Sequence, residues 1–132
     1  MATARRFEDL ECWKDARKFV RLIYGITRND RFRTDYELVG QIKRSAVSAM
    51  ANIAEGFHRA STREFMKFLD YSRASIVETV SHCCVALDQK YVDEPEMSEV
   101  TEQANLAWKK VNNFIPYLNK TSKLNQDSKG NQ

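Results

Sequence analysis

The residues in this sequence best able to hold a metal or act as nucleophiles are two histidines and three cysteines, three of which stand side by side as His82-Cys83-Cys84. Neighbours on a helix project about 100° apart, so these three cannot converge on one ion, and no C-x-x-C pair is present. The spacing instead predicts Cys83 in the core and His82 near the surface. No P-loop, G-x-G-x-x-G, G-x-S-x-G or H-E-x-x-H pattern occurs. Carboxylates such as Glu55, Glu64 and Glu78 form no paired acid–base signature and read as capping or surface groups. A non-catalytic protein without a metal or other cofactor is therefore expected.

The cations offer different chemistry. Residues 1–73 carry 15 Lys and Arg against 10 Asp and Glu, whereas residues 74–132 carry 6 against 8. Lys14, Arg17, Lys18, Arg21 and Arg28, joined by Lys43, Arg59, Arg63 and Lys67, are the best candidates for a surface that meets phosphate; Arg5, Arg6, Arg31 and Arg33 add to the same half. Contacts to a phosphate backbone need no base-reading motif and weaken as salt rises. An ordinary solvated face is the competing reading of such a modest excess.

A third pattern is Gln41, Arg44, Ser48, Asn52 and Glu55, which recur at spacings of three and four and so form one polar stripe. The rest of that segment, Leu38, Val39, Ile42, Ala46, Val47, Ala49, Met50, Ile53 and Ala54, is apolar or small nearly all round. Such a helix is predicted to be buried against more than two neighbours. The stripe either satisfies itself by hydrogen bonding, within the chain or across a subunit contact, or lines a binding channel.

Helices must position all of these groups. With only four Gly and two Pro in 132 residues and 30% of residues charged, the composition favours one all-α domain. Trp13, Ala16, Val20, Ile23 and Thr27 give a first helix over about 10–27, with Lys14, Lys18, Arg21 and Arg28 opposite and Glu11 and Asp15 partly neutralising them. A capping box from Thr34 to Glu37 opens a second helix over about 35–55, which Gly56 is placed to end in a left-handed conformation. Another box, Ser61 to Glu64, opens a third over about 62–90, and Asp93 or Glu94 before Pro95 a fourth over about 95–118. Pro116 should kink or end that helix. Short links imply an antiparallel, up-down-up-down four-helix bundle over residues 1–120, followed by a disordered polar tail at 121–132.

Phe7-Glu8-Asp9-Leu10, Trp13-Lys14, Tyr36-Glu37-Leu38, Gln41-Ile42-Lys43-Arg44 and above all Val47-Ser48-Ala49-Met50-Ala51-Asn52-Ile53-Ala54-Glu55-Gly56 resemble the four-helix-bundle proteins encoded in bacterial 23S ribosomal RNA intervening sequences. Accessory variability proteins of diversity-generating retroelements are relatives of that family. Arg59, Ser61, Glu64, Phe65, Phe68-Leu69, Arg73-Ala74-Ser75-Ile76 and Glu78 extend the likeness over about residues 7–118. Arg33 departs from a common proline and Ala74 from a usual glycine, which bears on how closely helices approach there. The resemblance implies a homopentameric barrel and, for the retroelement relatives, a reverse transcriptase partner and nucleic acid, RNA or DNA, bound through a basic surface. A protein–protein scaffold of other purpose is the alternative. With an odd number of cysteines and no apolar run near the roughly 20 residues that span a bilayer, a reduced cytoplasmic setting and no membrane partner are expected.

Overall fold

The computed structural model describes the backbone of residues 4–130 and the side chains of residues 4–118. The side chains of the expected polar tail, 121–132, thus lie outside the described residues. The described residues form four helices, α1 (Glu11–Ile26), α2 (Tyr36–Phe57), α3 (Thr62–Asp88) and α4 (Glu94–Gly130), with 3-10 turns at Phe7–Asp9 and Phe32–Thr34 before the first two. No strand occurs among the described residues. Helix α1 packs against α2 and α4, and α3 packs against the same two, so α1 and α3 stand diagonally opposite.

Each helix start has a local cause. Asp35, and not the expected Thr34, caps α2: its Oδ1 accepts from the Leu38 amide at 3.2 Å. The Thr34 hydroxyl is taken up by donating to the Arg31 carbonyl at 2.8 Å, which closes the preceding 3-10 turn. Ser61 caps α3 as expected, accepting from the Glu64 amide at 3.1 Å. At α4 the cap is reciprocal, with Glu96 N donating to Asp93 Oδ1 at 2.8 Å and Asp93 N donating to Glu96 Oε1 at 3.1 Å.

The helix ends differ more from expectation. Gly56 is helical rather than left-handed, and α2 runs past it to Phe57. What demands glycine there is a neighbour, since a Cβ at this position would lie 2.7 Å from the Phe68 Cβ on α3. Helix α3 instead ends on a non-glycine residue, Lys90, in the left-handed region at φ 61°. Helix α4 continues through Pro116.

The core divides along the helix axes. Phe19, Ile23, Phe32, Ile42, Ile76 and Val100 fill one half, and Trp13, Ile53, Phe65, Leu69 and Val111 fill the other. Full burial of such side chains contributes roughly 1.5–3 kcal/mol each. Phe32, in the charged connection between α1 and α2, is fully buried and stacks on Tyr91 at 5.3 Å, tying that connection to the one between α3 and α4.

The seam between α2 and α3 is polar at its centre. Ser72 Oγ donates to the Ala49 carbonyl at 2.7 Å, Thr79 Oγ1 lies 2.8 Å from Ser45 Oγ, and Ser48 and Ser75 share a hydroxyl contact of 3.0 Å. Small side chains let the two backbones approach, and hydrogen bonding satisfies the hydroxyls that this approach buries.

Candidate functional site

Helix α1 turns Trp13, Ala16, Phe19 and Ile23 inward, which leaves Lys14, Arg17, Lys18 and Arg21 exposed on its outer face. Arg17, Arg21, Tyr24 and Arg28 follow one another at spacings of four, three and four, so they form a single line that Arg28 continues just past the helix end. Lys43 joins this line from α2: its ammonium lies 4.7 Å above the ring of Tyr24. The guanidinium of Arg17 lies over the ring of Trp13, 5.6 Å from its centroid, a cation–π contact on the exposed face of the helix.

Neutralisation across this face is uneven. Lys14 pairs with Glu11 at 3.3 Å, and Lys18 shares an open hollow with Glu99 and Glu102 of α4. Among the described residues, Arg17, Arg21, Arg28 and Lys43 make no ion pair. Asp15 does not neutralise the ridge, contrary to expectation. It is 6% exposed and turned toward α4, where Lys110 approaches to 4.0 Å and Gln103 donates to its backbone carbonyl at 3.0 Å.

The nine cations picked from the sequence therefore do not make one surface. Arg59, Arg63 and Lys67 sit at the α2–α3 turn and on the outer side of α3, the helix diagonal to α1. Arg59 is moreover held by Glu55 at 2.7 Å. The split follows from the order of helices around the ring, which charge counting along a chain does not contain.

The polar stripe of α2 lies beside α3. At its centre, Asn52 Nδ2 donates to the Ser48 carbonyl at 2.8 Å and lies 2.9 Å from Ser48 Oγ, which in turn meets Ser75. Glu55 is engaged by Arg59, while Gln41 and Arg44 are exposed. Four open hollows among the described residues are lined by residues outside this stripe. The companion residues on α3, Ser72, Ser75 and Thr79, were not singled out from the sequence, although their spacing of three and four, matched by Ser45, Ser48 and Asn52, was there to be read.

One part of α2 stays uncovered. Tyr36 is 81% and Val47 39% exposed, and Ala51 lies on the same outer side, so in a single chain this helix is not enclosed by more than two neighbours. Ala74 is also exposed, so its departure from glycine does not touch helix contacts within the chain. On α3, Cys83 is fully buried and His82 lies 3.3 Å from Glu78 near the surface. Burial pushes the thiols of Cys12 and Cys83 up to about 12. No cluster of metal-ligating residues forms among the described residues. None of their helices is long and apolar enough to cross a membrane.

A family model described as 23S rRNA-intervening sequence protein matches residues 8–113, from the turn before α1 to the middle of α4. No curated protein matches the chain.

Proposed function

The chain belongs to the 23S rRNA-intervening sequence protein family, and on that premise we propose a non-catalytic, homo-oligomeric protein that holds the phosphate backbone of nucleic acid on the outer face of α1. The observation that carries this reading is the line of Arg17, Arg21 and Arg28 with Lys43 beside it, none of them in an ion pair among the described residues. Guanidinium groups without carboxylate partners are free to form bidentate bonds to phosphate, and their attraction extends over about a Debye length. Opposite them, α4 carries Glu99 and Glu102, which repel a polyanion and set one edge of its footprint.

Oligomerisation belongs to the same proposal. The uncovered side of α2, with Tyr36, Val47 and Ala51, supplies small and apolar surface suited to a second copy. Antiparallel order within each subunit is supported by the pairs Ser45–Thr79, Ser48–Ser75 and Ala49–Ser72, whose numbers rise along α2 as they fall along α3. A ring of five copies, and a reverse transcriptase as a further partner, rest on the motif resemblance. Repetition of one modest cationic face around such a ring would multiply its hold on a polyanion.

Gel shifts with structured RNA and with duplex DNA test the proposal. Binding at low salt that is lost on Arg17→Glu, Arg21→Glu and Lys43→Glu together is the expected result. No binding, or binding indifferent to these changes, contradicts it. A protein scaffold is the second reading, favoured by an open, mostly apolar groove of about 480 Å³ between α3 and α4 that includes Val77, Cys84 and Trp108. Protein partners retained after nuclease treatment support that reading, and their loss supports nucleic acid.

A further inference from the structure

We propose that the outer side of α3 carries a second nucleic-acid surface, one that takes an unpaired strand by stacking a base on Tyr71 while Arg63 and Lys67 hold its phosphates. The surface lies on the helix diagonal to the cationic line of α1, and the proposal stands independently of what α1 binds.

Tyr71 is 44% exposed on a helix whose inner side is fully engaged by α2 and α4. Its ring meets Phe68 edge to face, with centroids 5.7 Å apart and planes at 83°, which limits how it can turn. The Lys67 ammonium lies 5.9 Å from the Tyr71 centroid and the Arg59 guanidinium 4.6 Å from that of Phe68. A half-exposed aromatic ring, held in orientation by Phe68 and with the mobile Lys67 ammonium over one face, offers the two things a nucleotide needs, a π surface for the base and charge for the phosphate. A duplex hides its base faces, so the partner this surface fits is a single strand.

The charges here also lean toward a polyanion. Glu55 is held by Arg59 at 2.7 Å and Asp70 by Arg73 at 2.6 Å, whereas Arg63 and Lys67 make no ion pair among the described residues and outnumber the one carboxylate there that makes none, Glu64. Beside the aromatic pair, Arg63, Lys67 and Arg73, with the carboxylates of Glu64 and Asp70 among them, line an open hollow of about 700 Å³ that reaches Ile115 of α4 and has room for a sugar and phosphate. The Lys67–Tyr71 contact alone is one that any helix can make between residues four apart. The exposure of the ring and the two cations without ion pairs, Arg63 and Lys67, on the turns before it are what make the place a platform.

The experiment measures affinity for an oligouridylate of about 16 nucleotides and, in parallel, for an RNA duplex. Tyr71→Ala is expected to weaken oligouridylate binding by roughly 5- to 150-fold, the loss of one base stack, and Tyr71→Phe to retain it. Lys67→Glu weakens it and makes it less sensitive to salt. Duplex binding stays within about twofold in all three variants and falls instead on Arg17→Glu with Arg21→Glu. An oligothymidylate shows whether the strand is RNA, DNA or either, and the Tyr71→Ala loss must appear with at least one of the two. Should Tyr71→Ala fail to fold by circular dichroism, photocrosslinking of 4-thiouridine in the oligonucleotide to Tyr71 of the unaltered protein replaces it. Unchanged single-strand affinity, equal loss of both probes, a fall in solution mass that marks Tyr71 as a subunit contact, or no crosslink at α3 overturns the proposal.

Discussion

Gly56 on α2 faces Phe68 on α3 so closely that a Cβ built on the glycine would lie 2.7 Å from the Phe68 Cβ and 2.9 Å from the ring of Phe65. Both of those atoms belong to side chains fixed by their surroundings, so there is little room to yield. The same stretch of α3 carries Tyr71 and Lys67, so this contact also sets where the aromatic face stands relative to the end of α2.

Replacing Gly56 with alanine should therefore destabilise the fold, by about 1–3 kcal/mol from overpacking, outweighing the gain of up to about 1 kcal/mol that alanine brings to a helix interior. Gly25 supplies the control, because a Cβ there meets nothing within 4 Å. Gly25→Ala should stabilise by about 0.5–1 kcal/mol. Urea denaturation of the two variants, read as midpoints at equal slope, checks both signs.

The three cysteines should react unequally. Cys12 and Cys83 are buried, which raises their thiols from 9.0 to about 12, while Cys84 is exposed. Alkylation of the native protein at pH 8 is expected to modify Cys84 alone, and alkylation in denaturant all three, as counted by intact mass. The sign of the pH dependence follows from the same burial. A thiol whose folded value lies above its unfolded one contributes stability that is fully present below pH 9 and is lost as the pH rises toward 12. The thermal midpoint should fall across that window, and Cys83→Ala should flatten the fall.

The uncovered side of α2 predicts an assembly. Light scattering should give a mass that is a whole multiple of the 15.4 kDa chain, with five copies as the expected number. Ala51→Arg, which places a charge on that side without touching the core, should reduce the mass to a single chain while leaving helical content unchanged. A single-chain mass for the unaltered protein would remove the oligomer.

Most of the helical framework was legible from the sequence, because Trp13, Ala16, Ile23, Ile42, Ile53, Leu69 and Ile76 recur at a period that only a helix satisfies, and Ser61 and Asp93 mark helix starts by local chemistry. Where a residue answers to a distant one, local reading failed. Gly56 read as a helix terminator although the ring of Phe65 and the Cβ of Phe68 require it, and the burial of Phe32 against Tyr91 leaves no mark in the charged residues around it. The same limit applies to the candidate site. Exposure of Lys14, Arg17, Lys18 and Arg21 follows from helical spacing, but the separation of Arg63 and Lys67 onto a diagonal helix depends on which helices are neighbours. Asp15, which its spacing assigns to the charged ridge, sits where the wall of α4 begins.

The most direct measurement is the salt dependence of binding to duplex DNA, for the unaltered protein and for a variant with Arg17, Arg21, Arg28 and Lys43 each changed to Gln. Every phosphate contact removed lowers the slope of log K against log salt by about 0.9. A markedly shallower slope and weaker binding in that variant, alongside an unchanged slope when Arg63 and Lys67 become Gln, is the predicted result. A slope that the four α1-side substitutions leave as steep as before, or no binding by the unaltered protein even at low salt, would contradict a phosphate-binding role for this face.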